Sequence, residues 1–238
     1  MLCSVGCLGY DRSVKFGVVR FPGSCDDVDA LAAAERVGDA VLLWHAERDL
    51  QGSDAVIVPG GFSYGDYLRV GAIARFAPVM EEVAEFARAG GLVMGICNGF
   101  QVLCEAGLLP GALLPNTSLR FVFRQVELEV ANPGTPFTCA CPPGRRLSIP
   151  VKHTTGRFYA PDRELRRLEA DGQVLLRYAP GHNPNGSLRD IAGVCNQAGN
   201  VFGLMPHPEH AVDPLAGSTD GLAIFESLKA QVADRAVA

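Results

Sequence analysis

Beyond residue 13 the chain alternates short apolar runs with amphipathic ones. Strand-like runs occur at Phe16–Phe21, Ala40–Trp44, Ala55–Val58 and Leu92–Ile96, and helical stretches at Asp27–Arg36 and Ile73–Ala89. In the second helical stretch, Ile73, Phe76, Ala77, Met80, Val83, Ala84 and Ala87 recur at a helical period. Strands that are apolar throughout, separated by helices, predict an α/β fold with a mostly parallel sheet covered by helices on both faces.

The pattern changes after residue 120. Phe121–Val130 alternates apolar and polar positions, and Asn132–Gly144, rich in Pro, Thr and Cys, reads as a turn-rich connection. Runs at Val174–Tyr178, Ile191–Cys195 and Val201–Met205 read as antiparallel additions to the sheet, and Asp220 to about Val232 as a closing helix. No repeat or linker divides the chain, so residues 14–238 are expected to form one domain. Residues 1–13 show little periodicity and are expected to be a disordered tail or the product of a misassigned start.

With 238 residues, 48% of them hydrophobic, the chain is long enough to bury a large core. Its net charge of -5 argues against a nucleic-acid surface. Gly91–Pro115 is apolar enough to resemble a membrane span, but Asn98, Gln101, Glu105 and several glycines favour a buried strand and helix. The eight cysteines include no CxxC pair. Cys139-Ala140-Cys141 is weak metal evidence on its own, so no metal is expected. No signal peptide is apparent, and the compartment reads as cytoplasmic.

Within that frame Cys97 stands out, in Gly95-Ile96-Cys97-Asn98-Gly99 between an apolar strand and the helical stretch Asn98–Ala106. A sharp strand-to-helix turn lifts a nucleophile out of a sheet, and small neighbours make room for the bend. About 110 residues later, Pro206-His207-Pro208-Glu209 places a base and a carboxylate at i and i+2, on one side of an extended segment. Thiol, imidazole and carboxylate together make a nucleophilic triad of Cys97, His207 and Glu209. Gly60 and Gly61, in Pro59-Gly60-Gly61, follow the run Ala55–Val58 and can turn backbone N–H groups towards a developing oxyanion, a role that the family resemblance given below extends to Asn98. Gln101, one helical turn after Cys97, is placed either on the surface or against a substrate head group. Cys104 and Cys195 read as buried core thiols and His45 as structural. His153, His182 and His210 receive no role from the sequence.

These segments, in this order, resemble the class I (triad) glutamine amidotransferases. Gly61–Arg69 (GFSYGDYLR), Gly95–Leu103 (GICNGFQVL) and Asn183–Ser187 (NPNGS) narrow the resemblance to the small glutaminase subunits of phosphoribosylformylglycinamidine synthases. It runs from about Lys15 to the closing helix and implies a flavodoxin-like α/β fold. It also implies glutamine hydrolysis through a Cys97 thioester, with His207 and Glu209 completing the triad and Gln101 touching substrate. The resemblance also implies a contact from Asn116–Phe121. Ammonia would pass to a large synthetase subunit that uses ATP and Mg to aminate formylglycinamide ribonucleotide, with a third small subunit in the bacterial form. Consistently, no phosphate-binding Gly-x-x-x-x-Gly-Lys-Ser/Thr loop is present in this chain.

The chain departs from the family pattern at Phe21–Asp26, which lacks an Asn. It departs also at His153-Thr154-Thr155-Gly156 in place of His-Gly-Glu-Gly, and at His210 in place of Arg. A different triad amidotransferase, a cysteine peptidase and a non-catalytic scaffold are the competing readings. The GFSYGD segment, Gln101 with Asn183–Ser187, and the intact triad weigh against them in turn.

Overall fold

The computed structural model describes residues 13–237, so apart from Ser13 the expected N-terminal tail lies outside them. The strands are β1 (Lys15–Arg20), β2 (Asp39–Trp44), β3 (Ala55–Val58), β4 (Leu92–Ile96), β5 (Ala112–Leu114), β6 (Val122–Val130), β7 (Leu147–His153), β8 (Arg157–Tyr159), β9 (Val174–Tyr178), β10 (Ile191–Cys195) and β11 (Val201–Leu204). The helices are α1 (Asp27–Glu35), α2 (Pro78–Arg88), α3 (Asn98–Glu105), α4 (Asp162–Ala170) and α5 (Leu222–Val237). Nine strands form one sheet in the order β2-β1-β3-β4-β11-β10-β9-β6-β7, while β5 and β8 pair separately.

From β2 to β11 every pairing is parallel; from β11 to β7 every pairing is antiparallel. This corrects the expectation for Val201–Leu204, which is an antiparallel partner of β10 but runs parallel to β4, with Leu204 opposite Ile96. Its four residues are buried, and a buried apolar strand suits either neighbour, so composition alone does not set its direction. The central position follows from burial: β3, β4, β10 and β11 have no exposed residue. Each large apolar side chain removed from water there contributes about 1.5–3 kcal/mol.

The expected helix over Ile73–Ala89 is broken. A 3-10 turn covers Ala74–Phe76, and Ala77 is extended (φ -63°, ψ 141°) before Pro78 opens α2. A residue before proline avoids the helical region, whereas proline itself suits the first helical turn. Asn132–Gly144 contains no strand or helix, yet Phe137 is fully buried and packs on Phe202 with ring centroids 5.1 Å apart. Among the described residues no helix is long and apolar enough to cross a membrane.

Helix α3 starts almost in contact with the sheet. A Cβ on Gly99 would lie 1.8 Å from the Val58 carbonyl oxygen, so only glycine lets α3 approach β3 this closely. Gly99→Ala must displace α3 or β3. It should destabilise the fold by roughly 2–3 kcal/mol, measured as a lowered urea midpoint with an unchanged slope. A midpoint equal to that of the unmodified chain would show the contact to be soft.

Candidate active site

The turn between β4 and α3 forces Cys97 into φ 48°, ψ -100°, a conformation that costs an L-residue energy and persists only where the surroundings impose it. Those surroundings are the Cys97 N–H, which donates to Leu204 O at 2.8 Å, and the Cys97 carbonyl, which accepts from Gln101 N–H at 3.2 Å. One bond ties the turn to β11 and the other to α3. The thiol is 5% exposed, with Sγ 3.8 Å from the carbonyl oxygen of Lys152 on β7. It lines a small cavity together with Gly61, Asp66, Gln101, His153 and His207.

His207 reaches that cavity from the segment that follows β11, three residues beyond Leu204. Its N–H donates to Pro150 O at 2.8 Å, which fastens the segment to β7. The ring is buried, Nδ1 lies 2.6 Å from Glu209 Oε1, and Nε2 has no hydrogen-bond partner. Burial opposes a charge on this imidazole, but the Glu209 carboxylate and the Cys97 sulfur outweigh it and push its pKa up to about 10. The spacing read from sequence therefore brings Cys97, His207 and Glu209 together.

Of the expected oxyanion donors, Asn98 opens α3, where the first N–H groups have no intrahelical acceptor. Gly61 (φ 137°) sits in a bridge to Ser24 whose bonds are made by its neighbours, Phe62 N–H to Gly23 O (2.9 Å) and Cys25 N–H to Gly60 O (3.4 Å). The Gly61 N–H is left outside that ladder, and the Gly60 carbonyl is spent on the segment carrying Asp26. Gln101 is buried rather than surface-facing. Its Nε2 donates to Thr155 O, and its Oε1 accepts from Asn98 Nδ2 at 3.0 Å.

The histidines left open by the sequence now separate. His182 Nδ1 accepts from Glu127 N–H at 3.0 Å, and His45 Nδ1 meets Tyr64 Oη at 2.7 Å, so both are structural. His153 lines the cavity, with Nε2 3.0 Å from Asn185 Nδ2. Burial and the neighbouring His207 hold its pKa down at about 3. Asn116 donates to His153 O at 2.9 Å and accepts from Gly156 N–H at 3.1 Å. It thus shapes the 153–156 loop from within. Cys104 and Cys141 are pushed up by burial, Cys141 to about 12, and Cys195, buried as expected, to about 11.

Sequence reasoning missed Asp26 and Lys152. Asp26 is buried beside the base. It pairs with the Lys152 ammonium, and it lies 3.3 Å from His210 Nε2 and 3.7 Å from His207 Nδ1. Burial would raise its pKa, but His210, His207 and Lys152 together hold it well below the usual carboxylate range. Only the order Cys25-Asp26, where the family pattern differs, marked the segment in the sequence. Asp26, His207, Glu209 and His210 place ligand atoms within 4.8 Å of one another, close enough for a metal ion. The Lys152 ammonium on Asp26 and the His207–Glu209 bond already compensate those charges.

A buried imidazole poised between a thiol and a carboxylate, beside free N–H groups, can deprotonate the thiol, protonate a leaving group and activate water. Comparison with known proteins points the same way. Residues 13–226 match the CobB/CobQ-like glutamine amidotransferase domain. The chain is 61% identical over 218 residues to the phosphoribosylformylglycinamidine synthase subunit PurQ of Rubrobacter xylanophilus, covering 91% of this chain and 98% of that one. It is 58% identical over 217 residues to PurQ of Mycobacterium bovis, with 90% and 96% covered. A structure of PurLQS from Thermotoga maritima superposes with a TM-score of 0.85 at 44% identity, over 92% of this chain and 99% of that one.

Because the folded pKa of His207 lies above its ordinary value of 6.5, its charge stabilises the fold below about pH 6.5, and that contribution is lost as pH rises towards 10. The stability gap between the unmodified chain and Glu209→Gln, from urea unfolding at pH 6 to 10, should be widest at pH 6 and shrink towards pH 10. A gap that grows with pH would refute the assignment of charge.

Proposed function

The chain belongs to the PurQ family of phosphoribosylformylglycinamidine synthase subunits, within the glutamine amidotransferases, and we propose that it hydrolyses glutamine on Cys97 and delivers ammonia to a synthetase partner. The observation that carries this reading is the buried contact of His207 Nδ1 with Glu209 Oε1 at 2.6 Å, on an imidazole whose Nε2 has no partner and lines the Cys97 cavity. One nitrogen is fixed by the acid, which leaves the other free for proton transfer.

In this mechanism the Cys97 thiolate attacks the side-chain carboxamide carbon of glutamine, and its proton resides on His207. The carbonyl electrons move to oxygen, where the N–H groups of Gly61 and Asn98 receive the negative charge. The tetrahedral intermediate collapses and breaks the C–N bond as His207 protonates the departing nitrogen to ammonia. The acyl group is then a Cys97 thioester. His207 next takes a proton from water, hydroxide displaces the thiolate, and glutamate leaves. Glu209 holds the ring orientation and balances the imidazolium throughout.

Residues 14–238 act in this proposal as one amidotransferase domain in the cytoplasm. The acceptor is formylglycinamide ribonucleotide on the large subunit, where ATP and Mg are used, and a third small subunit joins the assembly. The assembly called PurLQS in the Thermotoga maritima structure supports such a complex. The high identity to PurQ proteins supports this acceptor over that of another triad amidotransferase.

Glutamate release should be measured with and without the large subunit, ATP and formylglycinamide ribonucleotide, and it should rise in the full assembly. Cys97→Ala should lower it by at least about 10³-fold, because the covalent route is lost, and Glu209→Gln by about 10²-fold. An assembled complex that releases no glutamate under any condition would make the chain a scaffold.

A further inference from the structure

The cavity at Cys97 adjoins a second, and the two share Asp66, Val70, Gln101 and Thr155 in their walls. A glutamine whose carboxamide lies at Cys97 extends through two methylenes to a head group carrying an ammonium and a carboxylate. A junction beyond Cys97 is where that head group would come to rest. Gln101 cannot receive it without surrendering bonds, since its amide is engaged at both ends by Thr155 and Asn98.

Asp66 is placed differently. Its Oδ1 accepts from Asn98 Nδ2 at a long 3.3 Å, and among the described residues no lysine, arginine or histidine pairs with it. Arg69, three residues on, is held by both oxygens of Glu105 at 2.6 Å. The carboxylate is therefore under-compensated, and burial pushes its pKa up to about 6. The backbone presents it deliberately: Tyr64, Gly65, Asp66 and Leu68 all adopt positive φ, and Tyr64 Oη anchors the loop to His45. Such local strain marks places where a side chain is held for a purpose.

We propose that Asp66 is the receptor for the α-ammonium group of glutamine and so selects a free amino acid over other carboxamides. This assignment rests on the glutaminase reading above. An ammonium at the junction supplies the counter-charge that Asp66 lacks, and a carboxylate–ammonium bond is roughly twice as strong as a neutral one.

The test compares glutamine with glutaramate, the same molecule without its α-amino group, for ammonia release by the chain assembled with its synthetase subunit. Asp66→Asn keeps the shape and tolerates the left-handed backbone. It should lower kcat/KM for glutamine by about 10- to 100-fold, chiefly through KM, and leave glutaramate within about twofold. The KM for glutamine in the unmodified chain should rise as pH falls through 6, because the protonated acid cannot pair, and this rise should vanish in Asp66→Asn. Should glutaramate turn over too slowly to follow, alkylation of Cys97 by 6-diazo-5-oxo-L-norleucine gives the same answer. The variant should slow it at least tenfold while alkylation by iodoacetamide is unchanged. Equal losses on both substrates, or none on glutamine, would overturn the role of Asp66 alone. A lack of ammonia release from glutamine by the unmodified assembly would overturn the glutaminase reading, and this assignment with it.

Discussion

The architecture of the site depends on how closely α3 approaches the sheet. Gly99 sits against the Val58 carbonyl with no room for a Cβ. That contact fixes the start of α3 above the ends of β3 and β4, and it leaves Cys97 in the tight turn between strand and helix. The strain at Cys97 (φ 48°) is tolerable only because two backbone hydrogen bonds and the apolar strands β3, β4 and β11 hold both sides of the turn. The same approach buries Gln101 in the wall of the cavity.

Around this turn the protein concentrates buried charge. Glu209, Asp26, His207, His210 and Lys152 form a connected group in which each charge faces an opposite one. Buried charges are tolerated in such compensated groups, and removing one partner costs more than the pair contributes. The group also ties three distant segments together: the turn after β1 carrying Asp26, the end of β7 carrying Lys152, and the segment after β11 carrying His207. Asp66 lies outside this group: its carboxylate accepts from the Asn98 amide, and among the described residues no lysine, arginine or histidine pairs with it.

Much of this was legible in the sequence. The apolar runs of β1, β3 and β4 and the Gly-x-Cys-x-Gly turn were readable because they depend on local rules of periodicity and sterics. So was His207-Pro208-Glu209, because spacing along an extended segment decides which side chains share a side. The direction of β11 was not, since an apolar run carries no information about its neighbours' orientation. The pairing of Asp26 with Lys152 joins residues far apart in sequence and leaves no local trace. Gln101 was ambiguous for a related reason: whether its amide meets water, substrate or the 153–156 loop depends on a segment more than fifty residues away.

The parallel pairing of β11 with β4 has a consequence for synthesis of the chain. Cys97 belongs to the first half of the polypeptide, while His207 enters just after the strand that completes the central sheet. A ribosome that has made only the first two hundred residues has made Cys97 without His207 or Glu209. Assembly of the cavity around Cys97 is thus deferred until the last core strand is threaded between β4 and β10. Quality control is in this sense built into chain order: a product truncated before Val201 lacks His207 as well as the strand that holds the Cys97 turn.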